Sequence, residues 1–209
     1  WKPVCADYEQ YEVHHAIGST TFIHRCHNIE TRWTLVVPAN DALEVWHLEV
    51  RNLDNKPRRL SVFSYVEWCL GNGLDWHREF QKTFIETTYD ERLKAVIGIK
   101  RPLAMPSHIS TGMNEWPLSG FHAVNRPVVS YDGDKEHFLG RYRPYGRPEA
   151  LERGKLSNTL GKWNDSIASL HVQLQLEQNA TEETVFLLGT YESREAAETM
   201  IHQYASSQG

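Results

Sequence analysis

Within thirteen residues, DWHREFQKTFIET (75–87), the chain sets the acids Asp75, Glu79 and Glu86 beside His77, Arg78, Lys82, Trp76, Gln81 and two phenylalanines. Two carboxyls flanking a scissile bond are the machinery of glycoside chemistry. Hydrogen-bonding groups of moderate length, with aromatics over the apolar faces of the rings, are how sugars are held. The chain has 27 acidic residues, so acids close in sequence do not by themselves imply a catalytic pair. As a strand, residues 76–87 place Trp76, Arg78, Phe80, Lys82, Phe84 and Glu86 on one face and His77, Glu79, Gln81, Thr83, Ile85 and Thr87 on the other. The second face reads as a sugar-contacting edge or as an ordinary solvated one. His77 with Glu79 on that face is the one local pair suited to the acid–base work of an epimerase.

Other chemistry has weaker support. HRCH places His24, Cys26 and His27 together, with His14 and His15 nearby. A zinc site needs four convergent ligands in paired spacing. In a strand His27 points away from His24 and Cys26, and no second pair follows, so no metal site is expected. The chain carries neither a G-x-S-x-G elbow nor a glycine-rich phosphate cradle. Cys69 sits in a strand pattern and reads as a small buried hydrophobe.

Most of the elements that must position these residues are strands. In SLHVQLQLEQ, Leu170, Val172, Leu174 and Leu176 alternate with His171, Gln173, Gln175 and Glu177, the period of a strand with one buried face. LSVFSYVEWCL puts Leu60, Val62, Val66 and Trp68 on one side and Phe63, Tyr65 and Glu67 on the other, which predicts a strand between two layers. STTFIHRCH, TRWTLVVP, ALEVWHLEVRN, LKAVIGIK and ETVFLLGTY are further strands, rich in β-branched and aromatic residues. NLDNKPRR reads as a hairpin connection. Residues 101–146 hold five prolines and read as long loops with short strands embedded. One helix is predicted at the end, with Ser193 as N-cap and Ala197, Met200, Ile201 and Tyr204 as its apolar stripe. It either packs on the sheet or leads into a further domain. The pattern is that of an all-β antiparallel sandwich.

The 209 residues suit one large β domain or two small ones, and a net charge of −5 lacks the basic footprint for nucleic acid or an anionic membrane. No apolar run approaches the roughly 20 residues of a membrane span. The first residue is Trp, and the opening WKPVCADYEQ has no charged-then-apolar start, so a fragment or processed chain without a signal peptide is expected. Cys5, Cys26 and Cys69 do not form a disulfide pattern, which makes a cytoplasmic setting the expectation. The sequons at Asn164 and Asn179 carry weight only on a secretory route.

Taken in order, LVVPANDALEVWHLEVRNLDNKPRRLSVFSYVEWCLGN, DWHREFQKTFIETTYDE, the run from GDKEHFLGRYRPYGRPEAL to VFLLG, and the closing helix resemble the N-terminal β-sandwich domain of glycoside hydrolase family 94. These are the inverting phosphorylases of cellobiose, cellodextrins, chitobiose and β-1,2-glucans, with the cyclic β-1,2-glucan synthases. HFLGRYR followed by RPEAL is the most specific part, and HREFQK is closest to the cellodextrin or β-1,2-oligoglucan branch. The resemblance implies a galactose-mutarotase-like two-sheet antiparallel supersandwich over residues 1–191, and a helical linker from 192 to 209 into an (α/α)6 barrel. The barrel holds the catalytic acid, and inorganic phosphate is the co-substrate. The resemblance therefore implies no catalytic residue, cofactor or metal in this chain. It also implies a homodimer and an oligosaccharide substrate. A Phe-Gln-Arg stretch that reaches the sugar cleft in cellobiose phosphorylases aligns with Phe80, Gln81 and Lys82. Lysine here lacks arginine's planar fork. With Trp76 and His77 at the same strand end, Gln81 and Lys82 make up the expected substrate-binding rim. A stand-alone carbohydrate-binding module is the other reading.

Overall fold

A computed structural model describes residues 7–71, 82–101, 116–162 and 165–205. Nine strands form one antiparallel sheet. In chain order these are β1 (Gln10–Ala16), β2 (Ser19–Cys26), β3 (Ile29–Val36), β4 (Leu43–Asn52), β7 (Ile85–Asp90), β8 (Ala95–Lys100), β9 (Ser119–Val124), β11 (Gly161–Lys162) and β13 (Thr181–Tyr191). The spatial order is β1-β2-β3-β4-β13-β9-β8-β7-β11. A smaller antiparallel sheet has β12 (Ser166–Leu176) at its centre, between β10 (Ser130–Asp134) on one side and β5 (Arg58–Phe63) with β6 (Val66–Glu67) on the other. The expected two-sheet antiparallel architecture is the one observed.

The period-two pattern sets which faces meet. Leu170 and Val172 pack in the core with Val96, Val124 and Phe186 of the large sheet, while Leu174 and Leu176 pack with Val50. On the reverse of β12, Ile167 is covered by a layer of two short helices, α1 (Lys135–Leu139) and α2 (Glu149–Arg153), through Phe138, Leu139 and Ala150. The faces read from LSVFSYVEWCL hold as well. Val62, Val66 and Trp68 enter the inter-sheet core, and Phe63 and Tyr65 pack toward the helical layer. The other side of the large sheet buries Ile97, Phe121, Val185 and Leu187 under α3 (Arg194–Tyr204). The helix rests Ala197, Met200, Ile201 and Tyr204 on it, and Ser193 accepts the Ala196 N–H at 3.2 Å as its cap.

Several elements depart from the sequence reading. NLDNKPRR is not a hairpin, because β4 pairs with β3 and β13 whereas β5 pairs with β12. The turn carries the chain from one sheet to the other. Asn52, fully buried, staples this turn to the one between β12 and β13, donating through Nδ2 to the carbonyls of Lys56 (2.7 Å) and Glu177 (3.1 Å). Strand structure does not run through residues 82–87. Lys82 and Thr83 lie in a helical turn, and β7 begins at Ile85. Helix is also not confined to the C-terminus, since α1 and α2 have five residues each. Cys69 is exposed rather than buried.

Trp68 explains two glycines. A Cβ on Gly98 would lie 3.0 Å from its indole, and one on Gly120 only 2.7 Å. The ring lies against bare backbone of β8 and β9. Gly120→Ala is therefore expected to destabilise the domain by about 1–3 kcal/mol, as overpacked cores do. Urea denaturation checks this, and an unchanged midpoint would mean that the indole does not seat there.

Candidate functional site

The chain between β5 and β6 bends at Ser64, whose N–H and Oγ both bind the Leu170 backbone at 3.0 Å. The bend restarts pairing at β6 and presents Tyr65 and Glu67 on the outer side of the small sheet, where α1 begins. Four charged groups meet there. The Lys82 ammonium lies 2.7 Å from Glu67 and 3.2 Å from Asp165. The Lys135 ammonium lies 2.9 Å from the other oxygen of Glu67 and 3.1 Å from the other oxygen of Asp165. The signs alternate around a closed ring. Tyr65 and Tyr145 both donate their hydroxyls to Glu67 Oε1, at 2.9 and 3.1 Å, and the Lys135 ammonium sits 5.1 Å from the Tyr145 ring centroid.

Burial alone would push the Glu67 carboxyl up. The hydrogen bonds from Lys82, Lys135 and Tyr65 outweigh it and hold the group at about 2. Burial and the adjacent Glu67 charge push the Tyr65 phenol well above its ordinary range. Desolvation would lower both lysines, but bonds to Tyr145, Glu67 and Asp165 raise Lys135, and bonds to Glu67 and Asp165 raise Lys82. Glu67 is held low and both lysines are held high, so these groups keep their charges and fix geometry and do not move protons. It ties β6, the turn before β7, the start of α1 and the entry to β12. Asp132 on β10 is a buried carboxylate outside the ring. Burial raises it, and it accepts bonds from the N–H and hydroxyl of Ser157 and the N–H of Thr159.

Of the four rim residues read from the sequence, Lys82 is placed in this ring, and Trp76, His77 and Gln81 lie outside the described residues, as do Asp75 and Glu79. Glu86 faces Lys162 at 3.8 Å. His27 and Asn28 form the β2–β3 hairpin tip with φ of 53° and 60°, which turns His27 away from His24 and Cys26. Among the described residues no three His, Cys, Asp or Glu side chains gather as a metal site. Sequence reading missed Tyr65, Glu67, Lys135, Tyr145 and Asp165 as one cluster. The available signal was GDKEHFLGRYRPYG, which contains Lys135 and Tyr145.

The glycosyl hydrolase 94 supersandwich domain profile matches residues 1–207. The chain belongs to that family. The N,N′-diacetylchitobiose phosphorylase of Vibrio proteolyticus is 26% identical over 193 residues, covering 90% of this chain and 23% of that protein. The solabiose phosphorylase of Paenibacillus borealis is 25% identical over 170 residues, covering 81% of this chain and 21% of that protein. The glycosyl hydrolase 94 domain described here thus spans less than a quarter of either relative. A solved polysaccharide lyase shares the fold, with a TM-score of 0.50 at 9% identity over 88% of this chain and 23% of that one. Among the described residues of this family member, no helix is long and apolar enough to cross a membrane.

Proposed function

We propose that this chain is the non-catalytic N-terminal domain of an inverting oligosaccharide phosphorylase, which transfers a glycosyl group to inorganic phosphate. The observation that supports this is the match of residues 1–207 to a single domain type, together with relatives such as the chitobiose and solabiose phosphorylases that are several times longer. In this reading the (α/α)6 barrel beyond α3 supplies the proton donor, residues 192–209 begin the linker to it, and the domain completes the glycan cleft and one face of a cytoplasmic homodimer. Cellodextrins or β-1,2-oligoglucans are the favoured substrates. Trp76, His77 and Gln81 form the rim, and the ion-pair ring holds Lys82, and with it the end of that segment, against the domain.

The test uses the full-length enzyme. Gln81→Ala is expected to lower kcat/KM for acceptor sugars in the synthetic direction by the equivalent of about 1–3 kcal/mol, because a sugar hydroxyl loses its partner. Lys82→Ala, which opens the ring, is expected to lower the melting temperature with little change in acceptor kinetics. If Gln81→Ala leaves every acceptor within twofold of wild type, the segment does not line the cleft. Orthophosphate-dependent release of sugar 1-phosphate by the 209-residue chain alone would overturn the non-catalytic assignment.

A further inference from the structure

The loop between α1 and α2 presents two tyrosines in an unusual way. Arg143 N–H bonds to Gly140 O at 3.2 Å, closing a turn with Tyr142 at its third position and φ of 60°. That position favours glycine or asparagine, and a bulky residue there is strained. Tyr142 is nevertheless 93% exposed. Neither burial nor backbone preference accounts for a tyrosine at this place. Its one ring contact is the Arg141 guanidinium, 5.4 Å from the centroid, an exposed cation–π pair weaker than the backbone strain, so the strain points to contact with something else.

A second turn follows directly, closed by Arg147 N–H to Pro144 O at 3.1 Å, and it carries Tyr145. This ring is held at its hydroxyl by Glu67 and approached on a face by the Lys135 ammonium, yet Tyr145 is 49% exposed. It is an aromatic fixed in orientation before any ligand arrives.

The charges around the loop indicate what kind of ligand. Arg143 and Arg147 both pair with Glu152, Arg141 lies 3.7 Å from Glu136, and Lys135 is neutralised in the ring. Two guanidiniums share the one Glu152 carboxylate, which leaves a single positive charge over the loop, short of the clustered field that a phosphate or a nucleic acid needs. It offers aromatic faces flanked by guanidinium donors, which suits a neutral polyol with an apolar face.

We infer that Tyr142 and Tyr145 form an outer glycan subsite that stacks pyranose rings of a bound oligosaccharide distal to the bond being broken. The inference rests on the glycan-facing reading of this end of the domain and adds the residues that sense chain length. The full-length protein is titrated calorimetrically with cellotetraose, β-1,2-glucotetraose and N-acetylchitotetraose, and with the three matching disaccharides. Tyr142→Ala is expected to weaken the tetraose that wild type binds at least fivefold and to leave the disaccharide of the same linkage within twofold. Tyr142→Phe keeps the ring and should restore tetraose binding. Tyr142→Asn relieves the turn and should lose binding while melting no lower than wild type. Tyr145→Ala should act in the same direction as Tyr142→Ala. Tetraose affinity within twofold of wild type in Tyr142→Ala overturns the subsite and leaves the phosphorylase reading standing, as does an equal loss for the disaccharide. A lower melting temperature in Tyr142→Ala with unchanged tetraose affinity would mean that the ring serves the fold through Arg141, and also overturns the subsite. If wild type binds none of the six sugars and releases no sugar 1-phosphate from the disaccharides, both readings fail.

Discussion

Leu174→Asp is expected to cost several kcal/mol and to leave little folded domain at 37 °C. Leu174 is fully buried, opposite Leu60 on β5, in the cluster that joins the two sheets through Val50 and Leu176. The substitution removes an apolar side chain from a site with no room to collapse and places a carboxylate where no partner awaits it. Set against a typical domain stability of about 5–15 kcal/mol, such a loss is a large fraction of the whole. Gln175→Asp is the control, because Gln175 is exposed on the same strand one residue on, and surface changes of this kind stay within about ±0.5 kcal/mol. Urea denaturation of the two variants separates them. A Leu174→Asp domain melting within a degree or two of wild type would mean that β12 presents its other face to the large sheet.

That face was legible because Leu170, Val172, Leu174 and Leu176 alternate with polar residues, although the reverse of β12 is buried too as far as His171, which the one-buried-face pattern did not predict. The same rule worked for Leu60 to Trp68 even though Ser64 breaks the strand, since the bend leaves the alternation in phase. It worked for α3 because eleven residues are enough for a helical stripe, and it could not work for α1 and α2, which are five residues long and have barely one turn to show a period. β9 is one of the short strands expected within the proline-rich stretch, but its own sequence shows no period that would locate it. Phe121 and Ala123 face α3 while His122 and Val124 face the other sheet, so burial on both sides erases the alternation. β1 gave no signal for the opposite reason, being exposed along nearly its whole length.

The ion-pair ring illustrates what local reading cannot reach. Lys82 meets Glu67 across 15 residues and Asp165 across 83, and each residue taken alone is an ordinary surface charge. Only the pairing of β6 with the first residues of β12 brings Glu67 and Asp165 to one place. In the stretch from Asp75 to Thr87 the density of polar groups is local and visible in the sequence. What Lys82 does follows from tertiary geometry: a helical turn aims its ammonium at two carboxylates, and strand alternation does not govern it.

Acid should destabilise the domain through one histidine before it protonates most of the surface carboxylates. His122 is fully buried between Val96 and Leu188, its register partners on the neighbouring strands. Its Nδ1 lies 3.1 Å from the Leu187 carbonyl, which only accepts, so Nδ1 carries the proton. Nε2, 2.7 Å from Ser64 Oγ, is then the acceptor in the neutral ring. Ser64 Oγ already takes the Leu170 N–H at 3.0 Å and gives its own hydrogen to the imidazole. A proton on Nε2 would force that hydroxyl to turn toward Leu170 O, 3.4 Å away, and would strand a charge in the core. Burial accordingly lowers His122 from 6.5 to about 4, with the Leu187 bond opposing in part. Because the folded value lies below the unfolded one, the unfolded chain binds the extra proton between them. Stability is then fully present above about pH 6.5 and falls as the pH drops toward 4. At 1.36 kcal/mol per unit, the full span is worth about 3 kcal/mol, of which about 2–3 kcal/mol is lost between pH 7 and pH 4.5. His171, also lowered by burial, adds to the fall in the same direction. His122→Gln keeps a donor for Leu187 and cannot titrate, so the loss between those two pH values should shrink by about 2 kcal/mol relative to wild type, whatever the variant costs at pH 7. Urea denaturation at both pH values gives the comparison, and an equal pH dependence in the two proteins would show that the buried imidazole is not what acid attacks.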